Sequence, residues 1–355
     1  MSEWQIPLCR QVLGRAEEWA VLEVLRSGDL ANGPRADLFA ARVAEEHGAQ
    51  HSCAVSSGTL GLELALRAIG IGRGHNVLCP AYTFVASANA ILATGALPQF
   101  VDVDECGMMS LYGLRDDWLR WAKAAVVVDL FGQSADEQVQ RLRKLGIPVV
   151  EDACEALGGV AIGGDVGVFG FFPNKQITTC EGGVVCANGR RGKQIVDRVR
   201  AMRNHGRGPD GRIVGWGTNA RMSEVHAALG LAQLSRMDES IYRRWVAAVE
   251  WYDPELRRCG VRTLADHPLS WFVYPVWFAS RKVRDAVRAK LNDAGIQTGD
   301  YFPYIPTMPQ FGNRDRHDHP QAWKLAQTGL ALPFHPQIRH REVREVCRIV
   351  REVVG

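Results

Sequence analysis

Lys175 stands in the string Phe172-Pro173-Asn174-Lys175-Gln176-Ile177-Thr178-Thr179-Cys180-Glu181-Gly182-Gly183. Upstream lies Val149-Val150-Glu151-Asp152, an apolar run that ends in carboxylates. Such a run reads as a buried strand that delivers Asp152 to the edge of a sheet. Pro173 and the Glu181-Gly182-Gly183 turn frame Lys175 as a loop residue held in place. A lysine and a carboxylate on separate tethers are what pyridoxal phosphate needs. The amine forms a Schiff base with the aldehyde, and the carboxylate keeps the ring nitrogen protonated so that the ring can take up electrons.

Other residues suit the same chemistry, each with a plainer role beside it. Ser56-Ser57-Gly58-Thr59 precedes an apolar helical stretch (Leu60, Leu62, Leu64, Leu66), with no acidic residue before Glu63. Backbone N–H groups at such a helix start favour an anion, although the same turn serves as an ordinary N-cap. Phe84, at a strand-to-helix junction, suits either stacking on a flat ring or core packing. Taken alone, Asp152 could cap a helix and Lys175 could be a solvated lysine. The basic run from Arg198 to Arg207 reads as a solvated helix face. So does the C-terminal stretch, where Arg and Glu alternate at pairing distance.

These residues need a scaffold. Helical spacing covers 14–27, ended by Gly28, and a second helix follows Gly33-Pro34 through Glu46. Strands are expected at 77–79, 99–103, 124–129 and 147–151, with helices at 84–94 and 135–144. This alternation argues for a mostly parallel α/β sheet. Glu224 to Ser240 reads as one long amphipathic helix. Then come a strand at 273–279 and helices at 283–294 and 340–353. The domain boundary is expected near residue 240, giving a large domain (1–240) and a small C-terminal α/β domain (241–355).

Composition narrows the class. The 355 residues are 46% apolar and 23% charged, ordinary for a soluble globular protein. The nine cysteines are scattered without a Cys-x-x-Cys pair, which fits a reducing cytosol and neither disulfides nor a metal site. No secretory signal is visible, and no apolar run reaches the ~18 residues of a spanning helix. A net charge of +3 is too small to argue for nucleic acid.

The motifs recur in a fixed order, and as a set the sequence resembles the DegT/StrS family of pyridoxal-phosphate-dependent sugar aminotransferases. The stretches that carry the resemblance are Ser56–Thr59, Pro80-Ala81-Tyr82-Thr83-Phe84-Val85-Ala86, Phe100–Asp104, Glu151–Ala156, Phe172–Gln176, Glu181–Gly183, Asn204-His205-Gly206 and Asn219–Glu224. They span roughly residues 10 to 350. The resemblance implies the aspartate-aminotransferase-like fold (fold type I). It makes Lys175 the Schiff-base lysine and Asp152 the partner of the ring nitrogen. Ser57, Gly58 and Thr59 would hold the phosphate, Phe84 would stack on the ring, and Glu155 would lie near the phenolic oxygen or the substrate. Asn219 would reach the cofactor phosphate of the neighbouring subunit, with Arg221 nearby, so that a homodimer is the minimal active unit. Tyr301, Phe302 and Tyr304 would line the acceptor pocket.

The chain departs from the family pattern in places. Gly170 stands where many relatives carry a phosphate-binding Ser, and position 155 is often Gln or His. Gly158 to Gly167 is shorter than usual. The Tyr301-Phe302-Pro303 segment lacks a familiar His after it and an Arg before it. The resemblance implies an aminotransferase that moves an amino group from glutamate or glutamine to a keto sugar on a nucleoside diphosphate. Arg203 or Arg207 would suit the diphosphate. The alternatives are a ketocyclitol acceptor of the inosose type and a non-catalytic pyridoxal-phosphate-binding regulator. Intact Lys175 and Asp152 argue against the second.

Overall fold

The computed structural model describes residues 4–355 except 32, 113, 115, 265–266, 269 and 313–317. Short, mostly apolar runs between residues 51 and 187 form strands His51–Val55 (β1), Asn76–Pro80 (β2), Leu97–Val101 (β3), Ala122–Val128 (β4), Val149–Asp152 (β5), Val166–Gly170 (β6) and Gly183–Ala187 (β7). They make a seven-stranded sheet in the order β1-β7-β6-β5-β4-β2-β3. β7 pairs antiparallel with both neighbours, and the other pairings are parallel. A mostly parallel α/β sheet was expected, and it is observed.

Both faces of the sheet are covered, which is why its strands read as continuous apolar runs rather than as alternating ones. Successive side chains still point to opposite faces. Val168 and Val185 join one apolar cluster with Leu62 and Leu64. Their chain neighbours Phe169 and Val184 join the other with Phe39 and Val43. Helices Gly58–Ala68 and Gly189–Met202 lie over the first face, and Pro34–Glu46 and Glu224–Leu234 over the second.

The later part of the chain forms a two-stranded antiparallel sheet, Tyr274–Trp277 (β8) with Gly329–Leu332 (β9), beside helices Arg281–Asp293 and His340–Val354. The N-terminal segment joins it. Gln5 N–H donates to the Gly295 carbonyl, and Leu8 bonds to Gln297 and Phe334. No helix among the described residues is long and apolar enough to cross a membrane.

Several elements differ from expectation. The single helix foreseen from Glu224 to Ser240 is two, Glu224–Leu234 and Met237–Val246. The chain leaves helical geometry at Arg236 (φ −123°), whose guanidinium bonds the Val12 carbonyl and pairs with buried Glu17. Strands β1, β6, β7 and β9 and helix Pro320–Thr328 had no counterpart in the sequence reading, and the helix read at Arg198–Arg207 runs instead over Gly189–Met202.

Two buried acids lie at the central strands, Asp129 just past β4 and Glu151 within β5. Asp129 Oδ1 accepts the Ala135 N–H, and Glu151 Oε2 accepts the N–H groups of Gly163 and Gly164. Burial, then the adjacent Glu151 charge, holds the Asp129 carboxyl well above its usual range. Burial raises Glu151 too, but those two N–H bonds oppose it. The proton therefore sits on Asp129, whose Oδ2 has no donor of its own. A carboxyl with a raised folded pKa stabilises most below its unfolded value and loses that contribution as pH rises through the folded one. Asp129→Asn keeps the acceptor for Ala135, supplies a donor for Glu151 and removes the titration. Its melting temperature should gain on the native protein's as pH is raised from 5 to 8. Asp129→Ala, which leaves buried groups unpaired, should cost roughly 2–3 kcal/mol at any of these pH values. Thermal melts across that range measure both.

Candidate active site

Ligand sites in open α/β sheets form beyond the carboxyl ends of the parallel strands. Here the turns after β1, β2, β4, β5 and β6 and the turn entering β7 converge at that edge. They enclose, with residues 300–308 and Phe272, a cavity of about 510 Å³. Lys175, Asp152, Glu155, Ser57, Gly58, Thr59, Phe84, Tyr301 and Phe302 all line it.

Lys175 lies in the connection between β6 and β7, and that connection is pinned along its length. The Lys175 N–H donates to the Phe172 carbonyl, and Thr179 N–H to that of Phe171. The Lys175 carbonyl accepts from Gln11 Nε2 (2.7 Å) and from buried Arg244 (3.2 Å). Arg244 also donates to the carbonyl of Phe272, and burial lowers its pKa to about 10. The Lys175 side chain is 13% exposed. Its ammonium sits 3.9 Å from the centre of the Phe272 ring, where cation–π attraction operates, and 3.9 Å from Glu155 Oε1.

Asp152 ends β5 and is buried. Ser87 Oγ donates to its Oδ2 at 2.6 Å, and the Cys154 N–H to its Oδ1 at 3.3 Å. Glu155 follows in the same turn. Its Oε2 accepts the Phe131 N–H at 2.9 Å, and Gln176 Nε2 holds its carbonyl. Burial pushes the Glu155 carboxyl up to about 7, against the Lys175 cation and the Phe131 N–H; Asp152 adds to the rise. Phe131 aims that N–H from a left-handed backbone (φ 59°), a costly conformation for a large side chain. Its ring stacks on Phe302 at 5.8 Å.

The turn before helix Gly58–Ala68 forms a cradle. Ser57 Oγ accepts the Leu60 N–H, which leaves the hydroxyl proton free to donate outward. A Cβ on Gly58 would stand 2.8 Å from Cys154 Sγ, and one on Gly183 2.7 Å from the Ser57 carbonyl carbon. Gly170, the departure noted in the sequence, also packs on Cys154, where a Cβ would come within 3.1 Å of the sulfur. Two polar atoms of the lining, Thr83 Oγ1 and Asn174 Oδ1, are buried without partners. An orphaned buried hydroxyl and amide, a helix start free of acidic residues and a half-exposed Phe84 fit a flat ligand with an anionic tail.

Not every expected residue meets there. Tyr304 is outside the lining. Its ring is buried against Trp323, and its hydroxyl pairs with His319 at 2.8 Å, so packing between segments replaces the acceptor contact foreseen for it. Asn219 is exposed and outside the cavity of its own chain. Arg221 bonds Asn204 Oδ1. Arg203 is buried, bonded to the Ala54 carbonyl and paired with Asp37, and so is not free for a diphosphate. Ser87, Phe131, Phe272 and Arg244 escaped the sequence reading. Ser87 has a local signal, since it lies one helical turn past Phe84; the others depend on distant folding.

Fold and site together define an α/β enzyme built to hold a lysine and a buried carboxylate around one cofactor-sized cavity. Residues 12–351 match the family model described as the DegT/DnrJ/EryC1/StrS aminotransferase family. The chain belongs to that family, and it is an aminotransferase. It is 33% identical to the GDP-perosamine synthase of Escherichia coli O157:H7, over 98% of each chain. It is 31% identical to UDP-N-acetyl-3-dehydro-alpha-D-glucosamine 3-aminotransferase of Acidithiobacillus ferrooxidans, covering 94% of this chain and 92% of that one. Among solved structures it is similar to the aminotransferase TlmJ of Streptoalloteichus hindustanus. The TM-score is 0.88 at 30% identity, over 99% of this chain and 97% of that one.

The cradle geometry yields a two-residue test. Gly58→Ala should drive its methyl against Cys154 and weaken pyridoxal phosphate binding about tenfold or more. Adding Cys154→Ala should return much of that loss, because the sulfur is the nearest obstacle. Equilibrium dialysis of the cofactor against the four proteins measures the coupling.

Proposed function

We propose that this aminotransferase uses pyridoxal phosphate to move an amino group from glutamate or glutamine to the keto group of a sugar carried on a nucleoside diphosphate. The observation that carries the reading is the meeting of Lys175, Asp152 and the Ser57–Thr59 cradle in one cavity. The two relatives named for nucleotide-sugar products and substrates support the acceptor class. The proposal includes a cytosolic homodimer with residues 1–240 and 241–355 as its two domains.

The cofactor, when bound, supplies an electron-withdrawing ring that stabilises negative charge at the carbon losing its proton. The chain does the rest. Ser57, Gly58 and Thr59 would hold the cofactor's phosphate, Asp152, oriented by Ser87, would keep its ring nitrogen protonated, and Phe84 would lie against it. Lys175 would anchor it and, as a free amine, would take the proton from the donor Cα as base and give it back as acid. Tyr301 and Phe302 border the space left for the acceptor. Asn219 serves the partner subunit's site, with Arg221 beside it; its exposure outside its own cavity supports that placing.

A ketocyclitol acceptor keeps the same machinery but has less support, since both named relatives act in nucleotide-sugar chemistry. Incubating the protein with glutamate and a panel of nucleotide-linked keto sugars and free ketocyclitols, read by mass spectrometry, tests the choice. Amination of nucleotide-linked sugars alone is expected; amination of ketocyclitols alone would overturn the reading. Lys175→Ala should abolish the borohydride-reducible attachment of the cofactor while leaving the fold intact. Mixing Lys175→Ala with Asn219→Ala subunits should recover activity, because one site of the hybrid carries neither lesion. No recovery in hybrids shown to form would place Asn219 in its own site.

A further inference from the structure

Lys175 must lose a proton before it can attack an aldehyde, so a group placed to take that proton is needed. The ammonium lies 3.9 Å from the centre of the Phe272 ring, and the side chain is 13% exposed. The acid that faces it is Glu155, with Oε1 3.9 Å from Nζ. Glu155 is 3% exposed, and its other oxygen is fixed by the Phe131 N–H at 2.9 Å. One oxygen is therefore anchored and the other is turned toward the lysine. Asp152, the second carboxylate of the cavity, is engaged by Ser87 and the Cys154 N–H instead.

We propose that Glu155 is the proton-transfer partner of Lys175, taking the ammonium proton when the cofactor is captured. This deepens the function proposed above and rests on it. The transfer leaves a neutral amine and a neutral carboxylic acid. The amine nitrogen then bonds to the aldehyde carbon. The carbonyl oxygen leaves as water with one proton from that nitrogen and one returned by Glu155, which ends the cycle ionised. No oxidant or further reactant is needed.

The environment suits this task. Burial raises Glu155 into the neutral range, where it both accepts and returns a proton readily. The ionisable groups that act with it are Lys175 from its own loop, Asp152 and Cys154 from the same turn, Tyr82 after β2 and Tyr301 from the acceptor segment. Burial holds the Cys154, Tyr82 and Tyr301 groups in their neutral, protonated forms. Lys175 is the proton donor that remains beside the free oxygen.

The test follows capture of pyridoxal phosphate by the full-length apoprotein, read as the rate at which the bound-cofactor absorbance appears between pH 5.5 and 9. In the native protein the rate should climb about tenfold per pH unit below an inflection near 7, as Glu155 ionises, and then level off. Glu155→Gln retains the acceptor for Phe131 but cannot take a proton. It should capture the cofactor about a hundredfold more slowly at pH 8, with the inflection gone. Glu155→Asp should restore the inflection in part. Melting temperatures of the three proteins establish that each is folded, and borohydride trapping establishes that Lys175 is the residue bonded. A Gln variant with the native rate, or a slower one that keeps the native inflection, overturns the proposal and leaves the aminotransferase reading standing. A native protein that captures no cofactor on Lys175 overturns both.

Discussion

A carboxylate cannot be kept at the dry end of a central strand unless the chain supplies donors for it, and the site depends on meeting that requirement at Asp152. β5 is the middle strand of seven, so its end lies where connections from both halves of the sheet arrive. Ser87, from the helix after β2, supplies one bond to Asp152, and the turn that follows supplies another. The N–H of Asp129 anchors the Asp152 carbonyl from β4. Beneath this point burial and the Glu151 charge hold the Asp129 carboxyl toward its neutral form, which limits the negative charge that accumulates behind Asp152. Three acids are thus packed within two adjacent strand ends. They are tolerable together because each has its own donors and one of them is neutral.

The lysine is held by a different device. Its loop carries no regular secondary structure, so its position is set by bonds to its backbone. Gln11 comes from the N-terminal segment and Arg244 from helix Met237–Val246, and both end on the Lys175 carbonyl. Arg244 simultaneously fixes Phe272, the ring under the ammonium. One buried cation therefore places both the lysine and the surface it rests on. Replacing it by lysine would lose the fork that reaches two carbonyls at once.

Much of this was legible in the sequence because the signals are local. A strand ending in Glu-Asp, a Ser-Gly-Thr helix start and a lysine framed by Pro and Gly-Gly each declare themselves within a few residues. Their order along the chain supplied the rest. Glu155 was placed by the family resemblance, but its upward shift was not visible, because it arises from burial in the folded chain. Strands β6 and β7 were missed for a physical reason. Each has five residues covered on both faces, so no alternation marks it, and each has a glycine at one end. The break between Glu224–Leu234 and Met237–Val246 was hidden because Arg236 takes its partners from Val12 and Glu17, far back in the chain.

Tyr304 shows what local reading cannot settle, and it changes how the acceptor wall works. Three aromatics in Tyr301–Tyr304 look alike in sequence, yet each has a different neighbour. Tyr301 accepts a bond from Asn174 beside the lysine, Phe302 stacks on Phe131, and Tyr304 turns to His319. His319 in turn meets the Phe100 carbonyl on β3, while the Ile305 N–H bonds the Ala81 carbonyl and Tyr82 Oη the Tyr301 carbonyl. The segment is therefore fastened to the sheet that bears Asp152 as well as to the later part of the chain. On the function proposed above, a wall fixed in this way would meet the acceptor through Tyr301 and Phe302, which line the cavity, with Tyr304 holding them in place through His319. Substitution at Tyr304 should then disturb both halves of the proposed reaction through the wall's position, whereas substitution at Tyr301 or Phe302 should act first on the acceptor.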